Sequence, residues 1–266
     1  MIRAGLAAVG KVDRYSFIQA LLNVVGAEGT IISLAFTQGA YPWRLSQVPI
    51  FTRETPSFAG ALPNTMLRHP ESHRSMHPQC SYVAIGNHAQ YLTSEHGPTS
   101  GAYEPVRKVI ELKGKMMLVG CVYSSPGFTT AHLAEFDLGL TSRVIAPWLC
   151  QSRYVASDGS VKVFKRGLDI GFCSESFWKF YSHYIRNEVL IAGFVGKAYS
   201  ICANAERCYR VERSLLEKNP RFNVCDSADC VKCNLLRWDR AYRWPVFLFR
   251  RIMGLHKAAK SKKKRA

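Results

Sequence analysis

The strongest constraint in this 266-residue sequence is a recurring order: a helix-period segment, a glycine stop, then a short apolar run. Residues 13–25 carry apolar side chains at helical spacing and stop at Gly26, as a helix with a glycine C-cap does. Glu28-Gly29 turns the chain, and Thr30-Ile31-Ile32-Ser33-Leu34-Ala35-Phe36 follows as a buried strand. The order returns with a helix over 105–112, Gly114 as its end, and a strand over 116–122. This alternation predicts an α/β fold, a mixed central sheet flanked by helices. Between the two units, residues 37–63 are too rich in Pro and Gly for regular structure, and long irregular segments in compact domains tend to be functional. Further on, 153–155 and 160–164 read as strands joined at Asp158-Gly159, 174–185 as a helix and 189–194 as a strand. One long helix is expected over 198–218, stopped by Asn219-Pro220.

With 47% apolar residues the chain can bury one large core, and no apolar run reaches the ~18 residues that span a bilayer. The N-terminal residues 1–11 resemble a short signal segment but lack a cleavage site, so they are expected to belong to a mature cytoplasmic protein. The net charge of +17 is uneven, because residues 237–266 hold eleven Lys/Arg against one Asp. The chain therefore divides into a domain over 1–236 and a basic, aromatic extension over 237–266 whose end, from Lys260, is expected to be disordered. That tail is either a solubilising end or, through Trp238, Tyr242, Trp244 and Phe247–Met253 beside Arg250 and Arg251, a peripheral contact with an anionic membrane at its inner face. No nucleic-acid-binding motif accompanies the charge, so no nucleic-acid partner is expected.

Nine cysteines in a chain this long do not make a disulfide scaffold. Cys80, Cys121, Cys150 and Cys173 sit among apolar residues and read as buried thiols. Cys225-x4-Cys230-x2-Cys233 has metal-compatible spacing but no local fourth ligand, which Cys208, Cys202 or His256 would have to supply. It is either three unlinked surface thiols or a metal site, for which structural zinc is the simplest occupant.

The densest polar stretch, Arg68 to Ala89, gathers cations, hydroxyls and imidazoles in a loop before an alternating strand at 82–85. Thr55-Pro56-Ser57, Gly60-Ala61-Leu62-Pro63, Arg68-x-Pro70 and Arg74-Ser75-x-His77-Pro78-x2-Ser81-x2-Ala84-x-Gly86-x2-Ala89 together resemble the signature of the aminoglycoside 3-N-acetyltransferases. The similarity continues at Gly114–Gly120, Thr129-Thr130-Ala131-His132-Leu133-Ala134-Glu135 and Gly193–Ala198. It implies the antibiotic N-acetyltransferase fold, distinct from the GNAT fold, and transfer of acetyl from acetyl-CoA to an amine of an amino sugar or aminoglycoside. Such a reaction needs a base for the ammonium proton and donors for the oxyanion. His132 is the candidate base, Glu135 at i+3 its orienting partner, and His77 a second candidate for acceptor contact or oxyanion support. The resemblance assigns coenzyme contacts to Leu6, Gly10, Thr55, Ser57, Arg74, Ser75 and Ser81.

Two departures from the family pattern stand out. Its coenzyme loop corresponds to Ala4–Val12, with Ala4 and Gly5 in place of serines, and the strand that should precede it is expected to be absent. Before Pro105, Glu104 stands where the family has a serine. The basic charge balance also points away from a polycationic acceptor, toward a nucleotide- or lipid-linked amino sugar of surface polysaccharide synthesis. The alternative readings are a truncated, non-catalytic binding protein of the same fold and a basic protein whose tail binds membranes or polyanions.

Overall fold

The structure, a computed structural model, describes residues 1–141, 150–167, 173–227, 229–236, 238–239 and 244–263. Chain order begins with β1 (Ile2–Ala4), α1 (Leu6–Val9), α2 (Arg14–Val25), β2 (Thr30–Leu34) and α3 (Ala61–Met66). It continues with β3 (His73–Arg74), β4 (Tyr82–Gly86), α4 (Ala89–Thr93), α5 (Glu104–Glu111), β5 (Lys115–Val119) and α6 (Thr130–Asp137). A hairpin of β6 (Gln151–Val155) and β7 (Val161–Lys165) follows, then α7 (Tyr181–Arg186), β8 (Leu190–Val195), β9 (Ala198–Asn204), α8 (Ala205–Lys218) and α9 (Trp244–Lys263).

The strands form a four-stranded sheet in the order β1-β5-β9-β8, a three-stranded sheet β2-β4-β3, and the β6-β7 hairpin. In the larger sheet β1 runs parallel to β5 while β9 is antiparallel to both neighbours, so the sheet is mixed as the sequence predicts. One apolar cluster centres on Leu118, Phe128, Leu133, Phe180 and Ile201. A second, built on Ile18, Ile31, Leu62, Val83 and Val119, lies where α2 and α3 meet β2, β4 and the β1-β5 edge.

Two expectations are corrected. The first strand is present: Ile2–Ala4 pairs in register with Met117–Val119, and its brevity hides it from any periodicity. Residues 198–218 are a strand and then a helix, not one helix. Gly196, at φ +57°, turns the chain so that Val195 pairs with Ala198, and β9 becomes the strand between β5 and β8. Asn204 then caps α8 by accepting from the Arg207 amide at 3.0 Å. In the extension, α9 spans Trp244–Lys263. Residues 237, 240–243 and 264–266 of the extension lie outside the described residues.

The carboxyl ends of β1 and β5 lie side by side, Ala4 opposite Val119, and both chains turn there. Gly5 donates to Val119 O at 2.9 Å. Gly120 has φ +63°, and a Cβ on it would stand 2.6 Å from Ala8 Cβ. Only glycine lets the two turns approach this closely. Gly120→Ala is expected to lower Tm by at least about 3 °C, since the left-handed backbone alone costs a β-carbon about 1–2 kcal/mol. Calorimetry of the variant checks this.

Candidate active site

A cavity of about 600 Å³ opens at that paired strand end. Gly5 and Cys121 line it from the two turns, Phe36 and Phe58 from the segment after β2, and His132 and Phe177 from the opposite side. The site thus sits outside the carboxyl ends of parallel strands, the usual place for ligands in open α/β sheets.

Helix α6 supplies the acid–base pair. His132 and Glu135 share one helix face, and Nδ1 lies 2.7 Å from Glu135 Oε2. The imidazole is held between Tyr103, stacked at 5.3 Å, and Phe177 at 4.7 Å. With Nδ1 engaged, Nε2 is the ring nitrogen that serves the cavity. Glu135 is only 1% exposed, and its Oε1 accepts from Asn223 Nδ2. Its burial is tolerable because both oxygens are hydrogen-bonded. Glu104, at a departure from the family pattern, accepts from the Gly101 amide at 2.8 Å and so fixes the turn that carries Tyr103.

A second buried carboxyl lies behind α6. Glu212 of α8 accepts at Oε1 from Thr130 Oγ1 and from the Tyr184 hydroxyl. Its Oε2 is buried with no partner among the described residues. Burial first, with a smaller contribution from the Glu135 charge, pushes this carboxyl up to about 8. It is therefore protonated at neutral pH, which keeps a second charge out of the surroundings of Glu135.

The sequence-expected residues separate into two groups. His132 and the end of β1 line the cavity, with Glu135 bonded to the imidazole; of the Arg74–Ser81 segment, Gln79 and Cys80 line it, while Arg74, Ser75, His77 and Ser81 do not. Arg74 is buried and donates to Arg53 O at 2.9 Å, Ala35 O at 3.1 Å, Ser81 Oγ at 3.2 Å and Thr55 O. Ser81 Oγ donates to Ala35 O at 2.6 Å, and Ser75 Oγ accepts from the Tyr82 amide at 2.8 Å. His77 is buried against His96 and Phe164, and its Nδ1 accepts the Cys80 amide at 2.9 Å. Burial, then the Arg166 charge, holds this imidazole down at about 3, so it is neutral. These four residues clamp loops together. None of the four is among the described residues that line the cavity.

Thr55 spends its hydroxyl on Thr52 N and Ile50 O, and Leu6 is buried in the second apolar cluster. Gly10 ends α1 at φ +116°, away from the cavity lining. Ser57 is buried but holds its loop at the cavity edge, donating to Phe36 O while accepting from Ala59 N. Sequence reasoning misses Tyr103, Phe177 and Asn223; the last lies 88 positions from Glu135, and no spacing rule connects them. It also misses that Cys173 joins Cys225, Cys230 and Cys233, with all four Sγ atoms within 4.8 Å of one another. Cys150 is half-buried and lines the cavity, whereas its apolar neighbours in sequence predict the core.

A sequence model of the family described as aminoglycoside 3-N-acetyltransferase matches residues 1–217. The chain belongs to that family. Aminoglycoside N(3)-acetyltransferase III of Serratia marcescens is 32% identical over 154 residues, covering 51% of this chain and 56% of that protein. The chain spans about half the length of the curated relatives it matches. Among solved structures, a mutant of aminoglycoside acetyltransferase AAC(3)-IVa in complex with a gentamicin is similar, with a TM-score of 0.74 at 21% identity over 88% of each chain. AAC-IIIb in its binary complex with CoASH has a TM-score of 0.68 at 22% identity, covering 85% of this chain and 91% of that one. These likenesses establish the antibiotic N-acetyltransferase fold.

The Glu212 carboxyl has a checkable consequence. Between about pH 4.5 and 8 the native state holds a proton that the unfolded chain has lost, so its contribution to stability falls as pH rises through that window and is flat above it. Glu212→Gln is expected to remove this slope. Its Tm should gain on the wild type as pH moves from 5 to 8, and parallel Tm–pH curves would disprove the assignment.

Proposed function

We propose that this protein is an acetyl-CoA-dependent N-acetyltransferase acting on an amine of an amino sugar or aminoglycoside. The observation that carries the reading is the His132–Glu135 pair, with Nδ1 bonded and Nε2 left for the cavity. In the proposed reaction the acceptor nitrogen attacks the thioester carbonyl while Nε2 takes its proton. Glu135 stabilises the resulting imidazolium through Nδ1–H. Collapse of the tetrahedral adduct breaks the C–S bond, and the proton passes to the departing thiolate. The Tyr103 and Phe177 rings hold the imidazole in the plane this transfer requires. Family membership and the CoASH complex of AAC-IIIb support acetyl-CoA as the donor.

Coenzyme binding is assigned to the strand-end turns and the loop around Ser57, in place of the Arg74 cluster. Arg3, Arg166 and Lys232 line the cavity, and none of its described lining residues is acidic. Positive potential of this kind suits an anionic coenzyme. It also favours a second reading of the acceptor, in which the amino sugar carries an anionic group such as a nucleotide diphosphate; the gentamicin complex of the AAC(3)-IVa mutant favours an aminoglycoside. On α9, Val246, Phe249, Ile252 and Met253 are exposed beside Arg250 and Arg251. That face supports peripheral contact with an anionic bilayer, although no described helix is long and apolar enough to cross one.

Mass-spectrometric detection of acetylated product over a panel of aminoglycosides and nucleotide-linked amino sugars tests both levels. Product with at least one amine is expected, and His132→Ala should lower kcat/KM by about 10²- to 10⁴-fold. No transfer to any amine by protein that binds the coenzyme would overturn the enzymatic reading in favour of a binding protein. Transfer to aminoglycosides alone would remove the anionic acceptor.

A further inference from the structure

The four-cysteine cluster lies directly behind the candidate acid–base pair. Cys173 precedes Ser174, which lines the cavity, and Phe177, which packs on His132. Cys225 lies two residues beyond Asn223, the donor to Glu135 Oε1. Cys233 borders a small void shared with Glu135, Asn223 and Trp238. The two segments are already stitched together, Ser176 Oγ donating to Asn223 O and Lys179 Nζ to Val224 O at 2.7 Å.

We propose that Cys173, Cys225, Cys230 and Cys233 form a structural zinc site that holds Asn223 and Phe177 against Glu135 and His132. The sulfurs come from two chain segments about fifty positions apart and converge within 4.8 Å of one another. A tetrahedral zinc with bonds of about 2.3 Å places its thiolates about 3.8 Å apart, so a small contraction completes the shell. Cys173 and Cys233 are buried, while Cys225 and Cys230 are half-buried. The Cys230-x2-Cys233 turn is wound in the form such sites use, since the Cys233 amide donates to Cys230 Sγ at 3.5 Å. Among the described residues no carboxylate or imidazole is in the cluster, and an all-sulfur tetrahedral set selects zinc or an iron–sulfur centre over hard cations. Of the other candidate ligands, Cys202 lies on β9, Cys208 is buried in the main apolar cluster, and the His256 side chain lies outside the described residues.

With the metal bound, the segment carrying Asn223 and the one carrying Phe177 are cross-linked at a single point. Without it, the Glu135 carboxylate loses the constraint on its Oε1 partner. Assignment of the metal does not depend on the acetyl-transfer reading, whereas the positioning of His132 and Glu135 does.

Elemental analysis of the reduced full-length protein is expected to find about one zinc per chain. Cys202→Ser should retain it, and Cys225→Ser combined with Cys230→Ser should lose it. Should the double variant fail to fold, exchange of cobalt into the wild-type protein still decides, because four thiolates give intense visible absorption and an octahedral ion does not. Metal-free wild type, an octahedral cobalt spectrum, disulfides among these four cysteines or an iron–sulfur chromophore would each overturn the proposal. Chelator treatment of the wild type should expose residues 173–180 and 220–233 to proteolysis, with protection restored by zinc. Unchanged cleavage would refute the cross-linking role. Both readouts are independent of whether the protein transfers acetyl groups.

Discussion

The buried carboxylate of Glu135 is the point on which the candidate site depends. One oxygen holds His132 Nδ1 at 2.7 Å and the other accepts from Asn223, so a single side chain joins α6 to the segment after α8. An ionised carboxylate can lie in an apolar interior only when its oxygens are occupied by donors. The fold meets that condition with an imidazole and an amide, and then relieves the neighbourhood of a second charge by keeping Glu212 protonated. If either donor were removed, the remaining bond would face a desolvated anion with one oxygen unsatisfied, which is why the rotamer of His132 is so closely determined.

Within the family signature, Arg74 holds loops together. Arg74 satisfies three main-chain carbonyls and one hydroxyl, drawing 35, 53, 55 and 81 to one point. Burial lowers the guanidinium to about 10, yet it stays charged because four oxygens surround it. Those loops carry Phe36, Phe58 and Ala59 to the cavity wall. The polar cluster thus acts through the apolar residues it positions, and a motif dense in cations and hydroxyls need not touch a ligand.

Much of the fold is written locally. The helix end at Gly26 and the Asp158-Gly159 turn set boundaries that follow from residue chemistry within a few positions. His132 and Glu135 can be paired from the sequence because i,i+3 spacing is a local geometric fact. What stays hidden depends on distant contacts. β1 is three residues long and exists because β5 offers it an edge. β9 reads as helix from the sequence because Tyr199, Ile201 and Cys202 fit either period, and only pairing to β5 and β8 decides between them. Asn223 and Cys173 reach their partners through the path of the chain, about which spacing carries no information.

The cavity's charge now constrains the order in which two ligands of opposite sign could occupy it. Arg3 is half-buried and donates to Ser125 and Gly127, so its charge is a fixed part of the wall and not a mobile arm. With Arg166 and Lys232 also present and no acidic group among the described lining residues, an ammonium-bearing acceptor entering first would meet like charge in a poorly solvated space. An anionic coenzyme entering first meets the opposite, and its phosphates then lower the potential the amine experiences. On the proposed reaction, the coenzyme therefore conditions the site for the acceptor as well as supplying the acetyl group. On that reading the amine proton passes to His132, whose Nδ1 is already bonded to Glu135 and whose ring lines the cavity.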